Sequence, residues 1–440
     1  MSARGPRPPS ARPAEDPSDG ALLDRLQRDA FDYFMLTMNP QNGLIADTTR
    51  PDAPSSIAAV GFALSAYPVG VERGWIERAE AVQRTLLILR FFLHSDQSGA
   101  PDATGYRGFY YHFLDMRSGT RAWLSELSLI DTALLIAGAL TAANYFTAPT
   151  PAEGEVRELA ETLYRRVDWR WAQADGATLM QGWKPESGFL HYGWEGYSEA
   201  ILLYVLGLGS PTHPLTKASF DAWTVTYQWE NLYGRDFLYA GPLFIHQFSH
   251  AWIDFRGIRD RFMREKDCDY FENSRRATYV QREYAARNPG SFAGYTSDCW
   301  GLSAGDGPSA PPRMIAGRHQ AFYGYAARGV PYGPDDGTIA GSATLASLAF
   351  APEIVLPALR AMVARAPQCA GALVRASGFN ASLGADRPGD WVADGAFGLD
   401  QGIIVLMIEN YRSGLPWRLG RGNPHFRRGL RRAGFRGGWL

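Results

Sequence analysis

Apolar residues recur at helical spacing along nearly the whole chain, and this limits its possible architectures more than any single motif. The segments fall at about 21–37, 55–68, 73–94, 120–146, 154–171, 195–208, 215–227, 241–263, 268–287, 338–350, 352–366 and 398–413. Two-residue alternation, the mark of a half-buried strand, is scarce. A dozen helices joined by Gly-, Pro- and aromatic-rich connections predict an all-α fold, an α/α toroid in which inner helices bury their faces against outer ones. Helix ends on one rim then surround a cleft. No internal repeat marks the symmetry.

The 440 residues are 46% hydrophobic and 20% charged, enough to bury a sizeable core. No run reaches the roughly 18 apolar residues that span a membrane. The first twenty residues hold Arg and Pro without an apolar signal core. As written, the protein is expected in the cytoplasm, or in the periplasm if the start site or export route differs. Residues 1–20 read as a disordered linker and 21–417 as the folded domain. Eight arginines and no acid follow Glu409, so residues 1–411 set 36 basic against 45 acidic groups. Residues 418–440 therefore read as a basic flexible tail on an acidic body, a distribution unlike that of a nucleic-acid-binding domain. Cys268, Cys299 and Cys369 are too scattered for a disulfide framework or a zinc site. Phosphate-loop, dinucleotide-binding and nucleophile-elbow motifs are absent.

The connections 95–119, 172–194 and 288–337 are long for a compact domain, and long ordered loops tend to be functional. The last, with Trp300, Tyr323, Tyr325 and Tyr332, is placed as a lid. The 13 Trp, 21 Tyr and 23 Phe exceed the needs of a core and suit a cleft for flat ligands such as sugars. In QGWKPESGFLHYGWEGYSEA, Glu195 and Glu199 stand four apart at the mouth of an apolar helix, among Trp183, Phe189, Tyr192, Trp194 and Tyr197. They read either as acids projecting into a shared space or as favourable charges at a helix N-terminus. Glu126 and Asp131 in SELSLID enter an apolar helix, where an unpaired carboxylate is costly. His246, His250 and Asp254 fall at i, i+4 and i+8, a spacing suited to a metal but better explained by hydrogen bonding in a polar cleft, with Trp252 as a stacking platform. Glu272 is either a third cleft acid or the partner of Arg275 and Arg276. Asp400 opens the last apolar helix, where capping and catalysis look alike.

Nine runs carry a resemblance: VGFALSAYPVGVERGWI, GFYYHFLDMRSGTRAWLSELSLIDTALLIAG, GWKPESGFL, GYSEAILLYVLGLGSPTHPL, PLFIHQFSHAWIDFRGI, DYFENSRRAT, DDGT, FAPEI and GLDQGIIVLMIENYRSG. Across residues 22–417 the chain resembles the glucoamylase-like domain family that includes the endo-β-1,2-glucanases of glycoside hydrolase family 144 and, more distantly, the transglycosylation domain of cyclic β-1,2-glucan synthases. The resemblance implies an (α/α)6 barrel acting on β-1,2-linked glucose chains with neither metal nor organic cofactor, as a monomer or weak oligomer. It implies Glu199 as general acid, Glu126 and Asp131 near the scissile bond, and Asp400 as a candidate base. Trp183, Trp194, Glu195, Tyr197, His246, His250, Trp252, Arg256 and Glu272 are then expected to bind substrate. Glu195 departs from the family pattern, where Asp or Gly is expected. The competing expectations are a retaining transglycosylase with Glu272 as nucleophile and a glucan-binding protein without turnover.

Overall fold

The computed structural model describes residues 17–315, 317–365, 378–381 and 391–440. In chain order its helices are α1 (Pro17–Leu36), α2 (Ile57–Glu72), α3 (Arg78–His94), α4 (Leu129–Tyr145), α5 (Pro151–Arg166), α6 (Ile201–Gly209), α7 (Lys217–Thr224), α8 (Arg261–Glu265), α9 (Tyr270–Arg287), α10 (Gly341–Ala346), α11 (Pro352–Arg365), α12 (Gly398–Arg412), α13 (Leu415–Gly422) and α14 (Pro424–Ala433). They are of two kinds, set by what each sequence can bury. In α2 every residue from Ile57 to Gly70 is buried, and in α6 all nine are. Such helices must be surrounded. By contrast α5 buries only a stripe, with Val156, Leu159, Ala160, Leu163 and Tyr164 inward.

The fully buried helices touch one another in sequence order. α2 packs on α4, α4 on α6, α10 on α12, and α12 returns to α2. Between α6 and α10 the inner position is taken by two short 3-10 turns, Leu243–His246 and Phe248–Ala251. There the Ser249 hydroxyl accepts from the Leu202 N–H (3.1 Å), and Gln247 Nε2 donates to the Ala343 carbonyl (2.7 Å). Outside, α1 covers α12, α5 covers α4, α11 covers α10 and α14 covers α6. The α2–α4 contact is close because of two glycines. A Cβ on Gly138 would stand 2.0 Å from the Gly61 carbonyl oxygen, and one on Gly61 would stand 2.3 Å from that of Leu134.

Four expectations are corrected. The chain is mostly helical but not purely so. The strands β1 (Ser55–Ser56), β2 (Gly105–Tyr106), β3 (Phe109–Tyr111), β4 (Phe113–Leu114), β5 (Leu127–Ser128), β6 (Gly182–Lys184) and β7 (Gly188–Phe189) include an antiparallel sheet in the order β2-β3-β5-β6-β7, with β1 paired to β4. At two or three residues each, they are too short to show alternation. Residues 241–263 are not one helix, so His246, His250 and Asp254 do not share a helical face.

Residues 418–440 are not a loose arm. α14 seats Phe426, Leu430 and Ala433 against α6, while Arg432 and Arg428 donate to the carbonyls of Leu208 (2.8 Å) and Gly209 (3.3 Å) at the end of α6. The arginines are thus C-terminal caps of a neighbouring helix. Finally, residues 17–20 already belong to α1, whereas 1–16 lie outside the described residues, as does Cys369. Cys268 and Cys299 are buried.

Candidate active site

The inner helices α4, α10 and α12 present their N-terminal turns to one cavity of about 520 Å³, within the usual range for small-ligand clefts. Asp131 comes from the first turn of α4, Ser342 from α10 and Asp400 from the first turn of α12. Glu199 precedes α6 by two residues; Ser249 fixes it by donating to its carbonyl (2.7 Å). Asp47 enters from the loop after α1, which Gly398 holds by donating to the Asp47 carbonyl (2.8 Å). Apolar walls come from Phe113, Phe244, Phe248 and Phe397. The long segment 288–337 adds Ser303, Ala304, Gly305 and Tyr325, but its Trp300 is fully buried in the core. Arg50 ties the mouth together, pairing with Asp306 of that segment and with Asp394 (2.7 Å).

Four carboxylates in one partly enclosed space cannot all ionise at low cost. Burial raises Glu199 to about 7, and the charge of Asp131 adds to this. Burial likewise raises Asp400 to about 7; a hydrogen bond from Ser342 (2.9 Å) opposes the shift, and Asp306 and Asp47 reinforce it. Asp47 rises to about 6 through burial, partly offset by His112. Among these acids His112 behaves differently. Burial disfavours its charge, but Asp131, Glu126 and Asp47 prevail and raise it to about 9. Its Nδ1 donates to Glu126 (2.9 Å), and Nε2 lies 3.5 Å from Asp131. Despite its burial, Glu126 is held below its ordinary value by that contact. Asp131 also accepts from Ser128 Oγ (2.5 Å), the N-cap of α4. The site thus sorts its acids. Glu199 and Asp400 exchange their protons near neutrality, while Glu126 flanks an imidazolium as a carboxylate.

The other candidates are elsewhere. Glu195 is exposed and, since α6 starts only at Ile201, does not share a helical face with Glu199. Trp183 stacks on Tyr106 (5.2 Å) in the five-stranded sheet, and Trp194 supplies the carbonyl that accepts from Tyr204. Neither lines the cavity. Tyr197 meets His246 Nδ1 (3.2 Å) and His250 meets Ser274 Oγ (3.1 Å), none of them among the residues lining the cavity. Burial lowers these imidazoles to about 4 and about 3, so both are neutral core groups. Trp252 is fully buried and donates to Ser65 (2.9 Å). Arg256 grips Asp254 (2.8 Å) and stacks on Trp417 (4.3 Å), anchoring the C-terminal helices. Glu272 pairs with Arg276 (2.9 Å) on a solvent-facing side of α9, away from the cleft, so it is not placed to act as a nucleophile there. Among the described residues no group of three or more His, Cys, Asp or Glu is arranged to hold a metal ion, and no helix is long and apolar enough to cross a membrane.

The model of the Glycoamylase family, described as “Putative glucoamylase”, matches residues 191–424, more than half of the chain. The chain belongs to this family. A curated relative from Parabacteroides distasonis, an exo-β-1,2-glucooligosaccharide sophorohydrolase acting at the non-reducing end, is 27% identical over 451 positions, which cover 94% of this chain. The chain spans 58% of that relative's length. A Bacteroides uniformis protein solved under the family's own description superposes with a TM-score of 0.84 at 29% identity, covering 97% of this chain and all of the other. A β-1,2-glucanase from P. distasonis superposes with a TM-score of 0.82 at 26% identity, covering 94% of this chain and 60% of that one.

For this Glycoamylase member, sequence reasoning did not single out His112 and Asp47, whereas Tyr325, named with the long segment 288–337, does line the cavity. His112 lies inside a run that carries the resemblance, and a lone His between aromatics beside SELSLID was the available signal. Asp47 sits in a short loop, with no periodicity to expose it.

Proposed function

We propose that this chain is a glycoside hydrolase cleaving β-1,2-linked glucose chains by general acid/base catalysis with inversion, in endo mode. The observation that carries the reading is one cleft holding two acids, Glu199 and Asp400, each raised to about 7. Glycoside hydrolysis needs a protonated carboxyl for the leaving oxygen and a carboxylate for water, and a group titrating near the working pH suits such transfers. Glu199 donates the proton. Asp400, oriented by Ser342 from the facing α10, takes the proton of the attacking water. Asp131 and Glu126, arrayed about the His112 imidazolium, set the field and accept from sugar hydroxyls. The activities named for the P. distasonis relatives support the substrate class. An (α/α)6 arrangement is supported by the alternation of inner and outer positions and by the return of α12 to α2.

The test is reducing-end release from linear β-1,2-glucan. Glu199→Gln and Asp400→Asn should each lower kcat by at least 100-fold, on the scale typical of general acid/base groups. The wild-type rate should follow a narrow bell: the acid limb is Asp400 losing its charge below about 7, and the alkaline limb is Glu199 losing its proton above about 7. Retention of most activity by Glu199→Gln would remove it as the acid. Binding without new reducing ends would leave a glucan-binding protein. A second reading, exo-release of a disaccharide, draws on the name of the curated relative; a product profile dominated by disaccharide from the first minutes favours it, and a ladder of sizes favours endo action.

A further inference from the structure

Two consecutive bulky residues at the cleft rim, Trp123 and Leu124, have left-handed backbones, with φ of 55° and 51°. That region is unfavourable for large side chains and persists only where the surroundings enforce it. The enforcement is visible. The buried Arg121 donates from Nε to the Ser125 carbonyl (2.5 Å) and from Nη2 to that of Leu124 (2.9 Å), while Glu186 (2.6 Å) and the Tyr111 ring beneath (4.7 Å) hold the guanidinium. The strain is not offset by burial of what it presents, since Trp123 is 67% and Leu124 70% exposed.

The indole is also continuous with the cleft. It lies 5.0 Å from the ring of Phe113, a cleft-wall residue, and Phe113 stacks at 3.9 Å on His112, the partner of Glu126 and Asp131. A line of rings thus runs from the carboxylates to the surface and ends on an exposed flat face.

We propose that Trp123 is the platform of an outer sugar subsite, on which a glucose ring of the glucan threaded through the cleft stacks its C–H face. This rests on the functional reading above and extends it: the site grips substrate beyond the units that flank the scissile bond. The occupant is a sugar of the bound chain rather than a second protein, because the platform adjoins the cleft wall and is set by the same loop that carries Glu126. Trp123 is then a binding residue that favours longer chains.

The experiment compares wild type, Trp123→Ala and Trp123→Phe on purified linear β-1,2-glucooligosaccharides from three to about ten units, with thermal melting to show that each variant is folded. For Trp123→Ala, KM should rise roughly five- to tenfold on the longest substrates, the scale of one lost ring contact, and less than twofold on the trisaccharide. Trp123→Phe should recover most of the difference. A loss equal at every length, or none at any length, overturns the subsite while leaving the functional reading intact. So does sedimentation showing that Trp123→Ala dissociates a wild-type dimer with no length-dependent effect. A wild type that neither cleaves nor, by calorimetry, binds these oligosaccharides overturns both.

Discussion

Glu199 and Asp400 would ionise readily in water; in the cleft their charge must be removed from solvent and set beside other carboxylates. The shift of Glu199 from 4.5 to about 7 makes it a liability to the fold above neutrality. The folded state binds its proton more tightly than the unfolded state, so this contribution to stability is fully present below the unfolded value and is lost as pH rises through about 7. Glu199→Gln should therefore be more stable than wild type at pH 8.5, by up to about 3 kcal/mol, and close to it at pH 4; urea melts at the two values test this. A difference independent of pH would mean that the carboxyl is not strained. At this scale the sequence was informative where an acid interrupts an apolar run, as at Asp131 and Asp400. It was silent where a functional group stands in a loop, as at Asp47, and misleading where aromatic context imitates a cleft, as at Trp252, whose indole reaches Ser65 instead.

The elements differ in how much of their role could be read in advance. Helices such as α2 and α4 declare themselves by length and apolarity, and their ends fall within a few residues of expectation, except that 120–128 became loop and strand. The two 3-10 turns at 243–251 could not be told from a helix, because apolar spacing records which residues are buried and not how tightly the backbone is wound. The same limit hid the contact geometry of α2 and α4, where the absence of a side chain carries the information. Gly138→Ala should destabilise the fold by about 2–3 kcal/mol, since its methyl meets the Gly61 carbonyl with no room to yield. Gly154→Ala on the outer helix α5 meets nothing closer than 3.7 Å and should be neutral or stabilising by up to about 1 kcal/mol. Chemical denaturation of the pair separates crowding from helix propensity.

Across the whole molecule, the basic C-terminal stretch is part of the wall. Its arginines looked like a solvated run because composition does not reveal carbonyl partners, but the spacing of Phe426, Leu430 and Ala433 is that of an amphipathic helix. Leu430→Ala should cost about 2–5 kcal/mol in urea unfolding, as for a fully buried leucine; a change within about 0.5 kcal/mol would mean that this helix does not contribute to the fold. The return of α12 to α1 and α2 has a further consequence for how the protein is made. Gln27 of α1 donates to Glu409 of α12 across 382 positions (3.0 Å), and α12 also brings Asp400. On a ribosome, the faces that α1 and α2 turn toward α12 stay unmatched until residues 398–412 emerge, more than 300 positions later. No nascent intermediate has the proposed proton acceptor in place, and activity should appear only as the ring closes.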